Sequence, residues 1–317
     1  MTLTLNREYT YIHMKSNLLL LLLAFLPFTA FSQPLVVSLW DGTPPLQVDM
    51  GLEEEHNRNG ILRISNVQTP TLEVYLPEED LAIGKSVLIF PGGGYTILAY
   101  EWEGTEFAKW LQNHGIAGIV VKYRLPLSES LTDAKEVPLL DAQRAVRLTR
   151  HHAENWGLDP GQIGIMGFSA GGHLASTLST QYEHQTDREK DAVDALSARP
   201  DFSILVYPVI SFRDAGAHSG SRANLLGDDP GQELVDRFSG ELHVTADTPP
   251  TFLVHSQDDE GVPIANSLLY YDALHRHGIP ASLHIYPTGG HGFAFGTDRG
   301  TVEGWTHVLL DWIQAMD

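Results

Sequence analysis

The chain has 317 residues, with 40 acidic and 20 basic side chains and a formal net charge of −20. Its 43% of hydrophobic residues can form a full-sized core, so the composition is not that of a disordered protein. The acidity argues against nucleic acid or anionic lipid as a partner, because both require Lys and Arg. The lack of cysteine excludes disulfides, thiolate catalysis, Fe–S clusters and Cys-ligated zinc.

The N-terminus has the pattern of a secretory signal peptide. Lys15 precedes an apolar run at residues 18–26, and Ala30 and Ser32 are the small residues expected before a cleavage site. The run is too short for a comfortable membrane span, although a retained anchor helix is the alternative. We therefore expect residues 1–32 to be a signal peptide. Residues 33–317, with a charge of −21, would form one exported catalytic domain, periplasmic or extracellular, without stable membrane association.

From about residue 70 the chain alternates short apolar runs with amphipathic segments, after a turn-rich stretch at 33–69 that we expect to be irregular. This alternation is typical of an α/β fold with a mostly parallel central sheet flanked by helices. The polar, weakly periodic stretch at 208–250 predicts a small insertion or partial lid. The predicted strands cover residues 71–76, 86–90, 118–123, 163–166, 202–207, 251–255 and 282–286. Helices are predicted to end at Gly115, to begin at Pro138, and to carry the apolar stripe from Trp305 to Met316.

The sharpest motif is Gly-Phe-Ser-Ala-Gly at residues 167–171, directly after a predicted strand and before a predicted helix. In this context G-x-S-x-G indicates a nucleophile elbow, which is a strained turn that exposes the serine hydroxyl. The motif therefore predicts that Ser169 is a nucleophile.

Three consecutive glycines follow the buried run at 86–90, in the sequence Pro-Gly-Gly-Gly-Tyr at 91–95. Such a run brings main-chain N–H groups close to a ligand, and it lacks the Gly-Lys-Ser/Thr ending of a nucleotide loop. We expect the oxyanion hole to consist of the N–H of Ala170 and that of Gly93 or Gly94.

An acid and a histidine follow the last two predicted strands, in the order that a serine hydrolase needs. Asp259 is the expected acid, with Asp258 as a rival and Glu260 less favoured, and His291 in a Gly-flanked loop is the expected base. His173 lies beside the nucleophile on its helix, where we expect it to support the elbow by packing or hydrogen bonding. Neither a metal nor a cofactor is expected.

Side chains after the glycine loop are candidates for contacts with the substrate. Tyr95, Glu101 and Trp102, with the neighbouring Glu103, could meet a hydroxyl-rich leaving group. The alternative is the first turn of a helix, where carboxylates are favoured by the dipole.

With these motifs the chain resembles the α/β-hydrolase superfamily, and within it the acetylxylan-esterase-like group of esterases and lipases. The resemblance covers about residues 70–317 and departs from related lipases at Pro91, where they have His. It implies a carbohydrate esterase that removes acetyl groups from xylan-type oligosaccharides or other acetylated sugars. The resemblance is carried by residues 90–95, 121–125, 167–173 and 224–227, and by the loops of Asp259 and His291.

Other activities use the same three residues. A broad short-chain carboxylesterase or a feruloyl-releasing esterase would differ only in the acyl group. A peptidase of the prolyl-oligopeptidase type usually carries a large extra domain, for which residues 33–317 leave no room. A non-catalytic sugar-binding module usually loses a triad member, whereas all three candidates are present here. The oligomeric state has no signature in the sequence.

Overall fold

A computed structural model of the protein describes residues 34–186, 191–213 and 217–316. The predicted signal peptide, residues 1–32, lies outside the described residues. No helix in the described ranges is long and apolar enough to cross a membrane.

The framework of the described chain is an eight-stranded sheet, accompanied by a two-stranded hairpin. The strands are β1 (Leu35–Ser38), β2 (Glu55–Asn59), β3 (Ile61–Ser65), β4 (Thr71–Tyr75), β5 (Ser86–Phe90), β6 (Ala117–Lys122), β7 (Ile163–Phe168), β8 (Phe202–Val206), β9 (Thr251–Ser256) and β10 (Ala281–Tyr286). The order in the sheet is β1-β4-β6-β5-β7-β8-β9-β10. β4 is antiparallel to both neighbours, and every other pair, from β6 to β10, is parallel.

Helices connect and flank these strands, which confirms the predicted α/β class with a mostly parallel sheet. The α-helices are α1 (Glu106–Asn113), α2 (Val137–His152), α3 (Ser169–Gln181), α4 (Ser219–Leu226), α5 (Gln232–Arg237), α6 (Ala265–Arg276) and α7 (Trp305–Gln314). The helices predicted before Gly115, from Pro138 and at the C-terminus correspond to α1, α2 and α7.

The central strands place the loops that follow them at one edge of the sheet. β5, β7, β8 and β9 are buried at every position, as expected for apolar strands covered on both faces. In the register of the sheet, Phe90 pairs with Gly167 and Phe168 pairs with Val206. The ends of β5, β7 and β8 are therefore level, and the loops beyond them lie side by side.

One part of the sequence-based expectation is wrong. The stretch predicted to be irregular is ordered in its described part, residues 34–69, which contains β1 and the antiparallel hairpin of β2 and β3. β2 is a fully exposed Glu-His-Asn-Arg-Asn segment without an apolar face, so no hydrophobic period marks it. The hairpin turns at Gly60, which has a φ of 80° that glycine adopts at no steric cost. The Asn59-Gly60 pair is a hairpin signal that could have revealed it.

The segment predicted as an insertion lies between β8 and β9, as expected. It is more regular than its weak periodicity indicated, because it includes α4 and α5. These two helices are short, at eight and six residues, which explains why the helical period was hard to recognise.

Candidate active site

The turn between β7 and α3 holds Ser169 in a strained conformation. Its φ is 51°, in the left-handed region that side chains other than glycine rarely adopt. The flanking glycines are required by contact: a Cβ at Gly167 would lie 2.3 Å from the Gly171 carbonyl oxygen, and one at Gly171 would lie 2.1 Å from that of Phe90. The G-x-S-x-G motif therefore forms the sharp elbow that the sequence predicted.

Ser169, His291 and Asp259 form a continuous hydrogen-bonded chain. The Ser169 hydroxyl donates to His291 Nε2 across 2.9 Å, and His291 Nδ1–H donates to Asp259 Oδ2 across 2.8 Å. The rival Asp258 instead accepts the amide N–H of Gly290 at 2.8 Å, and Glu260 is exposed. The structure thus brings together the three residues predicted as a triad and assigns Asp258 to support of the histidine loop.

The carboxylate of Asp259 is held by more than the one histidine. Its Oδ1 accepts the amide N–H groups of Gly261 and Val262 at 2.9 and 2.8 Å, while Oδ2 also meets Nε2 of His255 at 3.1 Å. Burial raises the pKa of Asp259, but the hydrogen bonds from His255, His291 and Val262 outweigh it and hold the pKa well below its usual range. Asp259 is therefore an ionised acceptor for His291 at neutral pH.

The glycine loop lies directly against the elbow. A Cβ at Gly92 would lie 2.9 Å from the Ser169 Cβ. The Gly92 N–H donates to Glu103, whereas the N–H groups of Gly93, Gly94 and Ala170 donate to no acceptor among the described residues. Unpaired main-chain donors beside a serine hydroxyl can receive a negatively charged oxygen, so this arrangement is consistent with the predicted oxyanion hole.

A network that the sequence did not reveal lies beneath this loop. The carboxylate of Glu103 is buried and accepts the Gly92 N–H and the Tyr207 hydroxyl, each at 2.8 Å. Burial raises the pKa of Glu103 against the lowering effect of these two hydrogen bonds. Glu103 therefore supports the glycine loop from the inside and cannot meet the substrate from the surface.

The glycine loop is also tied to the helix of the nucleophile and to the insertion. The buried Tyr95 hydroxyl donates to Nδ1 of His173, and Nε2–H of His173 donates to the Phe238 carbonyl, both at 2.8 Å. Burial lowers the pKa of His173 to about 4, so the ring is neutral near pH 7. His173 therefore supports the elbow by hydrogen bonding, which the sequence indicated as one of two options.

The structure places the three predicted substrate contacts, Tyr95, Glu101 and Trp102, in different surroundings. The contact predicted for Tyr95 is wrong, because its side chain is 1% exposed and its hydroxyl is bonded to His173. The carboxylate of Glu101 accepts Nη1 of Arg58 and the amide of Leu62, both at 3.0 Å, so it is bound to the hairpin. Trp102 is half-buried and donates from Nε1 to the Gly292 carbonyl beside His291. Its contact with a substrate stays a prediction.

The insertion is attached to the glycine loop by Asn224. Its Nδ2 donates to the Gly94 carbonyl at 2.7 Å and to the Thr96 hydroxyl at 2.9 Å. The Asn-Leu-Leu-Gly segment thus contributes a side chain that orients the main chain of Gly94.

Comparisons with known proteins place the chain among esterases and related hydrolases. Residues 72–274 match the family profile BD-FAE. The chain is 36% identical over 275 residues to an acetylxylan esterase of Xylanibacter ruminicola, and 35% identical over 237 residues to endo-1,4-beta-xylanase B of Butyrivibrio fibrisolvens. These matches cover 86% and 75% of this chain but 53% and 36% of the two relatives, so the chain spans about half or less of their length.

A solved structure is similar over nearly its whole length. The acetyl ester-xyloside bifunctional hydrolase from Caldicellulosiruptor lactoaceticus superposes with a TM-score of 0.75 at 37% sequence identity, covering 88% of this chain and 95% of that one. The sheet order, the elbow and these similarities together identify the fold as that of an α/β-hydrolase. On this evidence the chain belongs to the BD-FAE family.

Proposed function

We propose that the protein is a serine esterase that hydrolyses acetyl esters of carbohydrates, such as acetylated xylo-oligosaccharides. The observation that carries this proposal is the hydrogen-bonded chain from Ser169 through His291 to Asp259. Beside it lie the N–H groups of Gly93 and Gly94, which have no acceptor among the described residues. The names of the similar proteins, an acetylxylan esterase and an acetyl ester-xyloside hydrolase, support the choice of substrate.

In the first half of the proposed reaction, the Ser169 hydroxyl oxygen attacks the ester carbonyl carbon while Nε2 of His291 takes its proton. Asp259 stabilises the imidazolium that results. The N–H of Ala170 and that of Gly93 or Gly94 bind the negative oxygen of the tetrahedral intermediate. When the intermediate collapses, the bond from carbon to the sugar oxygen breaks, and that oxygen takes the proton from His291.

The second half releases the acyl group from the enzyme. Water attacks the acyl-serine carbonyl and gives a proton to His291, and the same N–H groups bind the oxyanion. Collapse of this intermediate returns the proton to Ser169 and frees acetate. Apart from the substrate and water, each step uses only the three hydrogen-bonded residues and the main-chain N–H groups of the elbow and the glycine loop.

The test is a panel of acetylated xylo-, manno- and gluco-oligosaccharides, with released acetate measured for each. We expect the acetylated xylo-oligosaccharides to be the best substrates. Ser169→Ala should lower kcat by about 10⁴-fold or more. Ser179→Ala is the matched control and should leave kcat unchanged. The Ser179 hydroxyl is hydrogen-bonded to the Ser203 hydroxyl and the Ala175 carbonyl, away from the proposed triad.

Other outcomes would identify a different activity. Undiminished hydrolysis by Ser169→Ala would exclude the serine mechanism. Faster hydrolysis of p-nitrophenyl esters with longer acyl chains, or release of ferulate from feruloylated sugars, would indicate a broad carboxylesterase or a feruloyl esterase. A folded protein that binds the sugars and hydrolyses none of these esters would be a binding module.

We also propose that the protein is exported and that residues 1–32 are its signal peptide, cleaved after Ser32. This proposal is supported by the basic residue, the apolar run and the small residues before position 33. Expression of the full chain followed by N-terminal sequencing of exported protein should give Gln33 as the first residue. Cell-associated protein that retains its N-terminus would contradict export.

A further inference from the structure

A second histidine contacts the carboxylate of Asp259, at the same oxygen that accepts from His291. His255 is the penultimate residue of β9, and its side chain is fully buried. Its Nε2 lies 3.1 Å from Oδ2 of Asp259 and 3.1 Å from the Val262 carbonyl oxygen, while Nδ1 lies 2.8 Å from the Ser267 hydroxyl. One oxygen, Oδ2, thus contacts two imidazole rings.

The partners of His255 determine which nitrogen carries its proton. An ionised carboxylate and a carbonyl oxygen can only accept hydrogen bonds, so Nε2 must be the donor to both. The Ser267 hydroxyl can then donate to Nδ1, which satisfies the ring in its neutral form. His255 therefore gives a hydrogen bond to the same carboxylate oxygen that accepts from Nδ1–H of His291.

A shared acceptor divides its negative charge between its donors. The hydrogen bond from His255 is one of the causes that lower the pKa of Asp259. A less basic carboxylate stabilises an imidazolium less strongly, so His255 weakens the pull of Asp259 on the proton that His291 must take up and release.

Other groups around His291 act on the same proton. The buried carboxylate of Glu103 attracts it, and His218, at the start of α4, repels it when charged. The Tyr207 ring packs edge-on at 5.1 Å between ring centroids, and the Ser169 hydroxyl is bonded to Nε2. Any test of His255 must leave these four groups in place.

We propose that His255 is a positioning residue, which fixes the Asp259 carboxylate by a hydrogen bond from Nε2 and withholds part of its charge from His291. The expected effect on rate rests on the proposed serine-esterase function, whereas the hydrogen bond from His255 to Asp259 is independent of that function.

The first experiment compares two variants by the pH dependence of kcat/KM. His255→Phe keeps a planar ring of similar size but removes the donor, whereas His255→Gln keeps an N–H that can reach Asp259. Without the donor, Asp259 becomes more basic and favours the protonated form of His291. A higher pH is then needed to deprotonate His291 so that it can act as the base. The acid-limb midpoint of His255→Phe should rise by about half a pH unit or more.

The controls separate this effect from simple loss of packing. In His255→Gln the acid-limb midpoint should lie close to that of the parent protein. His284→Phe is the matched substitution on the adjacent strand β10, where His284 stacks on Phe252, and it should leave the midpoint unchanged. A lower rate in His255→Phe with an unshifted midpoint, or equal shifts in the Phe and Gln variants, would overturn the proposal.

A second measurement needs neither a folded Phe variant nor activity. Long-range ¹H–¹⁵N NMR of the ¹⁵N-histidine-labelled parent protein reports the tautomer of each ring, and His255 is assigned by the signals lost in His255→Gln. We expect the Nε2–H tautomer near neutral pH. The Nδ1–H tautomer would overturn the proposal. Absence of ester hydrolysis with the Nε2–H tautomer present would instead count against the proposed function alone.

Discussion

The Tyr207 hydroxyl donates a hydrogen bond to Oε1 of Glu103 across 2.8 Å, joining residues 104 positions apart. The other oxygen of Glu103 accepts the N–H of Gly92 in the glycine loop, and the Tyr207 hydroxyl accepts the N–H of Ala294, three residues after His291. One buried carboxylate and one phenol thus connect the loop of the proposed oxyanion hole to the loop of His291, the proposed general base.

Removal of this hydroxyl tests the connection. Tyr207→Phe leaves Oε1 of Glu103 and the Ala294 N–H without their partner in a buried site, which should lower the free energy of unfolding by about 1–3 kcal/mol. The two loops should also lose alignment, so we expect kcat/KM to fall by about tenfold or more. Urea denaturation and steady-state kinetics measure the two effects.

Tyr100→Phe is the control for this prediction. The Tyr100 hydroxyl donates to Oε2 of Glu73 at 2.7 Å, outside the network of Glu103, so its loss should affect stability without changing kcat/KM. Full activity in Tyr207→Phe would show that the two loops keep their alignment without the phenol.

The close approach of the nucleophile helix to β5 depends on Gly171. A Cβ there would lie 2.1 Å from the Phe90 carbonyl oxygen and 2.7 Å from that of Pro91, and neither main-chain atom can move without moving the glycine loop. Gly171→Ala should therefore lower the free energy of unfolding by about 3 kcal/mol or more and abolish activity. Thermal denaturation and an esterase assay would measure this. Gly304→Ala, whose new Cβ would meet no atom within 4 Å beyond its own neighbouring backbone, should change stability by less than about 1 kcal/mol.

Burial of His173 makes stability depend on pH. Its pKa is lowered from 6.5 to about 4 in the folded protein, so between these values the unfolded chain binds a proton that the folded protein does not. The stability from this group is present in full above pH 6.5 and is lost as the pH falls towards 4, by up to about 1.4 kcal/mol per pH unit. The free energy of unfolding of His173→Gln, measured by urea denaturation at several pH values, should therefore fall less steeply.

The exposed His307 supplies the comparison, because His307→Gln should keep the parent slope. Equal slopes in His173→Gln and the parent protein would mean that another group causes the pH dependence in this range.

Asn224 provides a test of the insertion. Asn224→Ala removes the donor to the Gly94 carbonyl, so the main chain of the predicted oxyanion hole loses a restraint. Because this donor restrains a loop that we propose to bind the oxyanion of the transition state, we expect kcat to fall by about tenfold with little change in KM. Gln232→Ala on α5 should change neither constant, because the Gln232 amide donates a hydrogen bond to the Asp236 carboxylate and to no other described side chain. A change confined to KM would instead indicate that Asn224 contacts the substrate.

Local features of the sequence were enough to predict much of this protein. Seven strands of the sheet were predicted, most of them as near-continuous apolar runs, and such runs can be recognised without knowledge of their partners. Ser169 and the glycine loop could be located because a strained turn and a close backbone approach each demand glycine at fixed spacing. The β2–β3 hairpin was not predicted, because β2 pairs with β3 through its main chain and has no apolar face that would give a hydrophobic period.

The chemistry-bearing residue types and their order along the chain were determined by the sequence alone, whereas their partners were decided by the tertiary structure. Asp258 and Asp259 are adjacent residues of the same type. Only the path of the chain after β9 directs Asp259 to His291 and Asp258 to Gly290. Glu103, Tyr95 and His255 have no local signature either. Their partners are brought close by level strand ends, and burial then strongly favours hydrogen bonds between the polar groups that meet there.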